Sequence, residues 1–404
     1  MPASASSPDE VLRIKTGRLG PLRPCEVAFR PLTVLIGKQG TGKSLVAQLS
    51  YLFRALPSLA EYDAAQQQRG EATDAKASFR RIIDGLRSRN RSFANLTQPN
   101  VTIEWKGPIA LNSVHSTMEE LGFNAQHVTR AVIPRKATLR IVRESQQKRQ
   151  YLAALFTPTE RVVYSLGLGA SGFRVLPIPL VLEYFGHWME TVASRIQEDW
   201  PDGRPATPEG RWIRDRALRA LEGEAIRVGS SWKWTFTAER AHRRIDLDMA
   251  SSGQRANWPL FLIPQVIFDL KATGQIARDF TLYVEEPEIH LHPAAERLVI
   301  EVLAYLVNHG IRVVLTTHSL TVLYTLNNLL KAAQLPSGID ARGLPEHELR
   351  LEPHLVAAWH LHDGRVASLI DHKTGLIDEA ALGSVADELS QQFNMIATRL
   401  VKAH

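Results

Sequence analysis

The chain opens on short apolar or alternating runs, Val11 to Lys15, Glu26 to Phe29 and Thr33 to Ile36, separated by Gly and Pro, which predict three strands. A glycine-rich turn begins at Gly37, and apolar residues at helical spacing then predict a helix over Ser44 to Leu56. From about Leu59 to Arg91 the pattern stays helical but turns polar and basic. A strand is expected at Val101 to Trp105, a helical piece near Ser116 to Leu121, and a basic strand-like run at Thr138 to Arg143. Phe156 to Ser165 carries strand-like apolar residues around a Thr-Pro-Thr-Glu-Arg turn. Pro179 to Gln197 and Glu209 to Leu221 predict helices parted by a Pro/Gly/Asp loop, and Trp232 to Thr237 and Arg244 to Met249 alternate as strands. The last third is the most regular. Strand Phe280 to Val284, helix Pro293 to Val307, strand Arg312 to Thr316 and helix Leu320 to Ala333 follow at the spacing of a parallel sheet with crossover helices. Two closing strands, Leu355 to Leu361 and Arg365 to Ile370, and a final helix, Ala381 to Phe393, complete the pattern.

Composition narrows the class. At 404 residues, 44% hydrophobic and 22% charged, the chain has ample core and a globular balance. A lone cysteine, Cys25, excludes an internal disulfide and a multi-cysteine zinc site, and fits a reducing, cytoplasmic location. Met1 to Asp9 reads as a short tail rather than a signal peptide. The most apolar stretch, Trp258 to Leu270, is too short for a membrane span and is interrupted by Pro264, so a soluble protein is expected. The net charge of +6 is uneven: residues 69–149 hold fifteen Lys and Arg against seven Asp and Glu. Arg80, Arg81, Arg87, Arg89 and Arg91, on or just after a helical segment, are the candidates for phosphate contacts with DNA; a solvated helical face has the same composition.

The strongest chemical signal is Gly37-Lys38-Gln39-Gly40-Thr41-Gly42-Lys43-Ser44, a complete G-x-x-x-x-G-K-[ST] phosphate loop between an apolar strand and a helix start. Glycines let backbone N–H groups turn toward phosphate oxygens, and the helix N-terminus adds partial positive charge. Lys43 would reach the β and γ phosphates, and the Ser44 hydroxyl would ligate Mg²⁺, so ATP and Mg²⁺ are the expected cofactors. Such a loop needs a carboxylate at a neighbouring strand end. Leu282-Tyr283-Val284-Glu285-Glu286 supplies two, with Glu285 at the magnesium position and Glu286 at the general-base position.

The run Glu285-Glu286-Pro287-Glu288-Ile289-His290-Leu291-His292-Pro293 resembles the E-E-P-E-x-H-L-H-P segment of ABC-type ATPases related to the OLD and SMC-like families, including the AAA-labelled ATPases of prokaryotic antiviral defence operons. Across ABC ATPases at large the magnesium position is more often Asp, so Glu285 departs from the broad pattern. Ala250-Ser251-Ser252-Gly253-Gln254 resembles the L-S-G-G-Q signature, which in that superfamily binds the γ-phosphate held by a second subunit. Thr316-Thr317-His318-Ser319 stands where those families carry a switch histidine, which implies that His318 senses the γ-phosphate. No glutamine loop is placed; Gln98, Gln146 and Gln147 are candidates. Pro158-Thr159-Glu160-Arg161 resembles a P-A-E-R turn of the defence-type ATPases, its arginine serving either the nucleotide or the fold.

The resemblance implies an α/β, P-loop ABC-type ATPase core with a mixed or parallel sheet, flanking helices and a largely helical insertion. Residues 1–56 and 225–404 would form the core and residues 57–224 the basic insertion. Two copies would trap two ATP molecules, each between one phosphate loop and the other copy's Ser251, Ser252, Gly253 and Gln254. Hydrolysis would drive or gate a partner effector encoded nearby, or a DNA transaction. A RecF-like repair ATPase and a slowly hydrolysing, nucleotide-gated scaffold stand as alternatives. His290 and His292 lack a third metal ligand, Trp232 and Trp234 fit half-buried strand packing, and no TOPRIM-like acidic cluster follows His318.

Overall fold

The computed structural model describes residues 10–66, 102–108, 117–124, 152–166, 180–200, 203–237, 244–336 and 342–380, together with parts of 382–396. The basic arginines Arg80 to Arg91, the run Thr138 to Arg143, the glutamines Gln98, Gln146 and Gln147, and the N-terminal Met1 to Asp9 lie outside the described residues.

A six-stranded sheet is the centre of the molecule. Its strands are β3 (Leu32–Ile36), β6 (Leu152–Thr157), β10 (Ile276–Glu285), β11 (Arg312–Thr317), β12 (Val356–His362) and β13 (Arg365–Ser368), in the order β13-β12-β3-β11-β10-β6. All neighbours pair in parallel except the β12–β13 edge. Such a sheet is buried on both faces, so its strands are apolar throughout and split their side chains by parity. Val313 and Leu315 point to one core and Val314 to the other; Leu282 and Val284 divide from Tyr283 in the same way.

Helix α1 (Lys43–Gln66) covers one face and is itself covered by an antiparallel sheet of β1 (Glu10–Thr16), β2 (Cys25–Phe29), β4 (Thr102–Pro108) and β5 (Thr117–Asn124). Phe53 stacks on Trp105 of β4 with 5.7 Å between ring centroids, and Phe29 of β2 packs on the same indole. The other face takes α2 (Leu180–Asp199), α3 (Pro208–Leu221), α4 (Ser252–Ala272), α5 (Pro293–Asn308) and α6 (Leu320–Ala333). Along α2, Leu182, Phe185, Met189, Val192 and Ile196 recur at helical spacing and fill that core. A small antiparallel sheet, β7 (Gly223–Val228), β8 (Ser231–Phe236) and β9 (Arg244–Asp246), lies beside α3 and α4. There Trp234 is buried and Trp232 packs 4.6 Å from Trp258, the packing its strand pattern implied.

The expected α/β core with a mixed, largely parallel sheet is present. Two local expectations change. Residues near Ser116 to Leu121 form strand β5, because they find a ladder partner in β4 that no single-segment pattern reveals. Within the span 57–224 the described residues include helices α2 and α3, and also β4 and β5 of one sheet and β6 of the central sheet, beside β10. The interrupted run Trp258 to Leu270 is a continuous helix with Pro259 and Pro264 inside it. No helix among the described residues is long and apolar enough to cross a membrane.

A buried ion network ties the layers together. Arg54 of α1, fully enclosed, donates to both carboxylate oxygens of Glu10 on β1 and to the Asp279 carbonyl at 2.8 Å. Arg312 of β11 lies 3.8 Å from the same Glu10 carboxylate. Burial opposes the Arg54 charge, but Glu10 and Asp279 outweigh it and hold its pKa above the ordinary arginine value.

Candidate nucleotide site

The phosphate loop runs from the end of β3 into α1. Gly37, Gly40 and Gly42 have φ of 151°, 74° and 100°, values open to glycine at little cost. A side chain at Gly37 would strike the Leu361 carbonyl of β12 at 2.3 Å. Lys38, Gln39, Gly40 and Ser44 are exposed, and Lys43 is buried with its ammonium folded onto the loop, donating to the Gly37 and Lys38 carbonyls at 2.6 and 2.8 Å. Burial lowers the Lys43 pKa, against which Glu286, Glu288 and Glu285 act. The cation therefore sits in the field of three carboxylates.

Those carboxylates come from the end of β10 and the turn after it. Glu285 is 3% exposed and accepts from Thr159 N at 3.3 Å and from Gln48 Nε2 at 3.4 Å, with the Ser44 hydroxyl near enough to favour its charged form. Burial pushes its carboxyl up to about 7. Carboxylate, hydroxyl and amide are hard oxygen donors of the kind Mg²⁺ takes, and a buried carboxylate lacking a full counter-charge suits a cation. Among the described residues no group of three or more His, Cys, Asp or Glu could hold a metal unaided. Mg²⁺ bound by Ser44 and Glu285 would draw its remaining ligands from phosphate and water, as that ion commonly does.

The raised value has a consequence for the protein without metal or nucleotide. In the folded chain Glu285 keeps its proton to higher pH than in the unfolded chain. Its contribution to stability is thus full below about pH 4.5 and is lost as pH rises through about 7. Glu285→Gln escapes that loss. Between about pH 5 and pH 8 the variant is expected to gain on the order of 2 kcal/mol relative to the wild type, read from urea denaturation at the two pH values. Parallel pH profiles for the two proteins would mean that Glu285 ionises freely.

Glu286 follows in an unusual conformation, with φ of 42° in a non-glycine residue. Its N–H donates to the Thr316 carbonyl at 3.0 Å and to the Thr316 hydroxyl at 3.2 Å, which anchors it to the end of β11. His318, just beyond that strand, has Nδ1 3.7 Å from Glu286 Oε1 and 3.4 Å from Glu288 Oε1. The Glu288 carboxylate also accepts from Thr317 Oγ1 at 2.7 Å and from His318 N at 2.8 Å, and its other oxygen is buried without a partner. Burial raises its pKa. Glu286, Glu288 and His318 are thus one cluster at the ends of adjacent strands.

The Ser251 to Gln254 segment is the start of α4. Ser251 is the N-cap and forms a capping box with Gln254: Gln254 N donates to Ser251 Oγ, and Ser251 N to Gln254 Oε1. Ser251 and Ser252 are exposed. Gly253 lies against the acidic turn, where a Cβ would come within 2.7 Å of the His290 carbonyl. His292 has a local structural role: it caps α5, its Nδ1 accepting from Ala294 N.

Sequence reasoning missed Gln48, Thr159, Asn257 and Glu288 as neighbours of this cluster. Gln48 was within reach, since it stands four residues after Ser44 on one helix face. Thr159 lies in the Pro158 to Arg161 turn, but its contact is a backbone N–H to Glu285 that no side-chain pattern announces, and Asn257 comes from a distant segment and carried no local signal.

Residues 222–323 match the family model described as AAA ATPase domain. No curated protein matches the chain. Among solved structures, the chain is similar to an SMC head bound to the C-terminal winged-helix domain of ScpA, with 11% identity, TM-score 0.45, and 90% of this chain and 97% of that one covered. It is also similar to the Smc head domain with an extended coiled coil from Pyrococcus furiosus, with 12% identity, TM-score 0.39, and 95% and 99% covered. A third is a nucleotide-free ATP-binding cassette of an ABC transporter, with 10% identity, TM-score 0.33, and 90% and 93% covered. The carboxylate pair is not on a strand adjacent to the phosphate loop, as expected, but at the end of β10, with β11 between it and β3. A phosphate loop between strand and helix, that carboxylate pair and the ATPase-domain match over residues 222–323 give this chain the site of a P-loop ATPase.

Proposed function

We propose that the chain is an ABC-type ATPase in which two copies close around two ATP molecules and thereby gate a partner. The observation that carries this reading is the exposed start of α4. Ser251 and Ser252 present their hydroxyls to solvent at a helix N-terminus, the Ser251 N–H being held by Gln254, and Met249 beside them is 74% exposed, an apolar side chain suited to an interface. The order of loop, signature, acidic pair and histidine along the chain supports the same arrangement.

In this reading the phosphate loop from Gly37 to Ser44 cradles the phosphates, and Lys43 leaves its two carbonyls for the β and γ oxygens. Ser44 and Glu285 would hold Mg²⁺, which would supply positive charge against that of the phosphates. Glu286 accepts the proton of the attacking water as the γ-phosphoryl passes to it, and His318 hydrogen-bonds the γ-phosphate. The second copy's Ser251 to Gln254 segment completes the site. Closing and opening of the pair would drive an effector, and the likeness of the acidic run to defence-type ATPases points to a nuclease or toxin encoded nearby.

The test is mass by light scattering for Glu286→Gln, in which blocked hydrolysis accumulates the closed state. Addition of Mg-ATP is expected to double the mass, and Ser251→Arg in the same background to abolish the doubling. A monomeric mass with Mg-ATP would overturn the two-copy site.

A further inference from the structure

We propose that Arg161 is a positioning residue that links the signature segment of a chain to the general base of the same chain, so that contact with the partner's ATP sets the geometry of Glu286. The inference rests on the two-copy reading above. Arg161 follows β6 in a 3-10 turn (Thr159–Leu166) and is fully buried. Its five N–H groups are matched by five acceptors on three segments. Nε donates to the Ala256 carbonyl of α4 at 2.8 Å, and Nη2 to Asn257 Oδ1 of the same helix at 3.0 Å. Nη1 donates to the Glu285 carbonyl at 2.8 Å and Nη2 to the Glu286 carbonyl at 3.1 Å. The fifth bond, to the Pro158 carbonyl, closes its own turn.

Asn257 carries the connection onward. Its Nδ2 donates to the Gly253 carbonyl at 2.9 Å and to the Ile289 carbonyl at 2.8 Å. Three steps, Gly253 to Asn257 to Arg161 to Glu286, therefore join the signature segment to the catalytic end of β10. The contact between Gly253 and the His290 carbonyl leaves no slack beside them.

Pro259 helps to open α4 at this point. It has no N–H for the Arg255 carbonyl one turn earlier, and Ser165 Oγ takes that acceptor at 2.7 Å. The adjacent Ala256 carbonyl is the one that Arg161 grips. A guanidinium is costly to bury: burial pulls the Arg161 pKa down to about 10, although Glu288, Glu285 and Glu286 all act to raise it. Apolar packing would brace the same three segments without that cost. What apolar packing cannot do is fix the peptide planes of Glu285 and Glu286. Glu286 is the residue that needs this, since its φ of 42° must be held from outside.

The test compares Arg161→Lys and Asn257→Ala with wild type in three measurements: nucleotide binding, ATP-dependent mass in the Glu286→Gln background, and initial ATPase rate against ATP concentration. The wild type is expected to be cooperative, with a Hill coefficient approaching about 2 for two coupled sites. Arg161→Lys should keep binding and dimer mass while kcat falls about 10- to 100-fold and the Hill coefficient drops to about 1. Asn257→Ala cuts the link only at the signature end and should move both quantities the same way, by less. It also decides the matter if Arg161→Lys does not fold. Unchanged kcat and Hill coefficient with only a lower melting temperature would make Arg161 a structural brace and overturn the link. If Glu286→Gln dimerises with Mg-ATP but the wild type hydrolyses without cooperativity, the link is overturned and the two-copy reading stands, whereas Glu286→Gln that stays monomeric with Mg-ATP overturns both.

Discussion

Glu286→Gln is expected to bind Mg-ATP about as tightly as wild type and to hydrolyse it about 10²- to 10⁴-fold more slowly, the range that a positioned general base supplies. The amide keeps the size of the carboxylate but cannot accept a proton from water. Its neighbours stay in place, because Glu286 is anchored by its backbone N–H to Thr316 rather than by its side chain. In the proposed site Lys43, Ser44 and Glu285 would still supply the phosphate and metal contacts, so binding and hydrolysis should separate. Single-turnover hydrolysis alongside equilibrium nucleotide binding reads the two. A rate within about tenfold of wild type would place the base elsewhere, with Glu288, buried and 3.4 Å from His318, the next carboxylate to test.

Arg54→Ala is expected to cost about 3–5 kcal/mol of folding stability, because it leaves Glu10 buried against Arg312 alone. Against a typical total of about 5–15 kcal/mol, much of the folded population is at stake. The side chain is enclosed, and its charge-assisted bonds to Glu10 have no solvent to replace them. Changing Glu10 and Arg54 together to Leu and Met removes both charges and should cost less than Arg54→Ala alone. Denaturant midpoints and slopes for the three proteins measure this. If the double variant is the less stable, the pair contributes beyond satisfying its own charges.

Legibility in the sequence followed the range of the interactions. The phosphate loop, the two central strands with their helices and the acidic strand end are local patterns, and each stands where its residues placed it. Elements that depend on distant partners were harder to see. Strand β5 gains its identity from β4, and β6 is a core strand because it pairs with β10, more than a hundred residues away. Pro264 read as an interruption, yet α4 continues through it, since tertiary packing supports a helix that propensity disfavours. The same limit applies to the site. Lys43, Glu285, Glu286 and His318 are named from their motifs, and the fold brings them near one another. The cluster also includes Gln48, Thr159 and Asn257, which matter through atoms they present to residues far along the chain. Glu288 stood within the motif, but its role as the acceptor for Thr317 and His318 follows only from the fold.

The placement of β3 between β11 and β12 bears on how this protein is made. The phosphate loop is synthesised well before the strands on either side of it, which follow it by more than 250 residues. The Leu361 carbonyl that confines Gly37 is among the last parts of the sheet to be synthesised. At about 5–20 residues per second, roughly 15–60 s separate the two in translation. Over that interval the nascent chain carries every residue of the phosphate loop without the sheet that shapes it, so nucleotide binding is expected to begin only once β12 has been made. Premature release of the chain would then yield a product unable to occupy a partner with a half-built, ATP-loaded subunit.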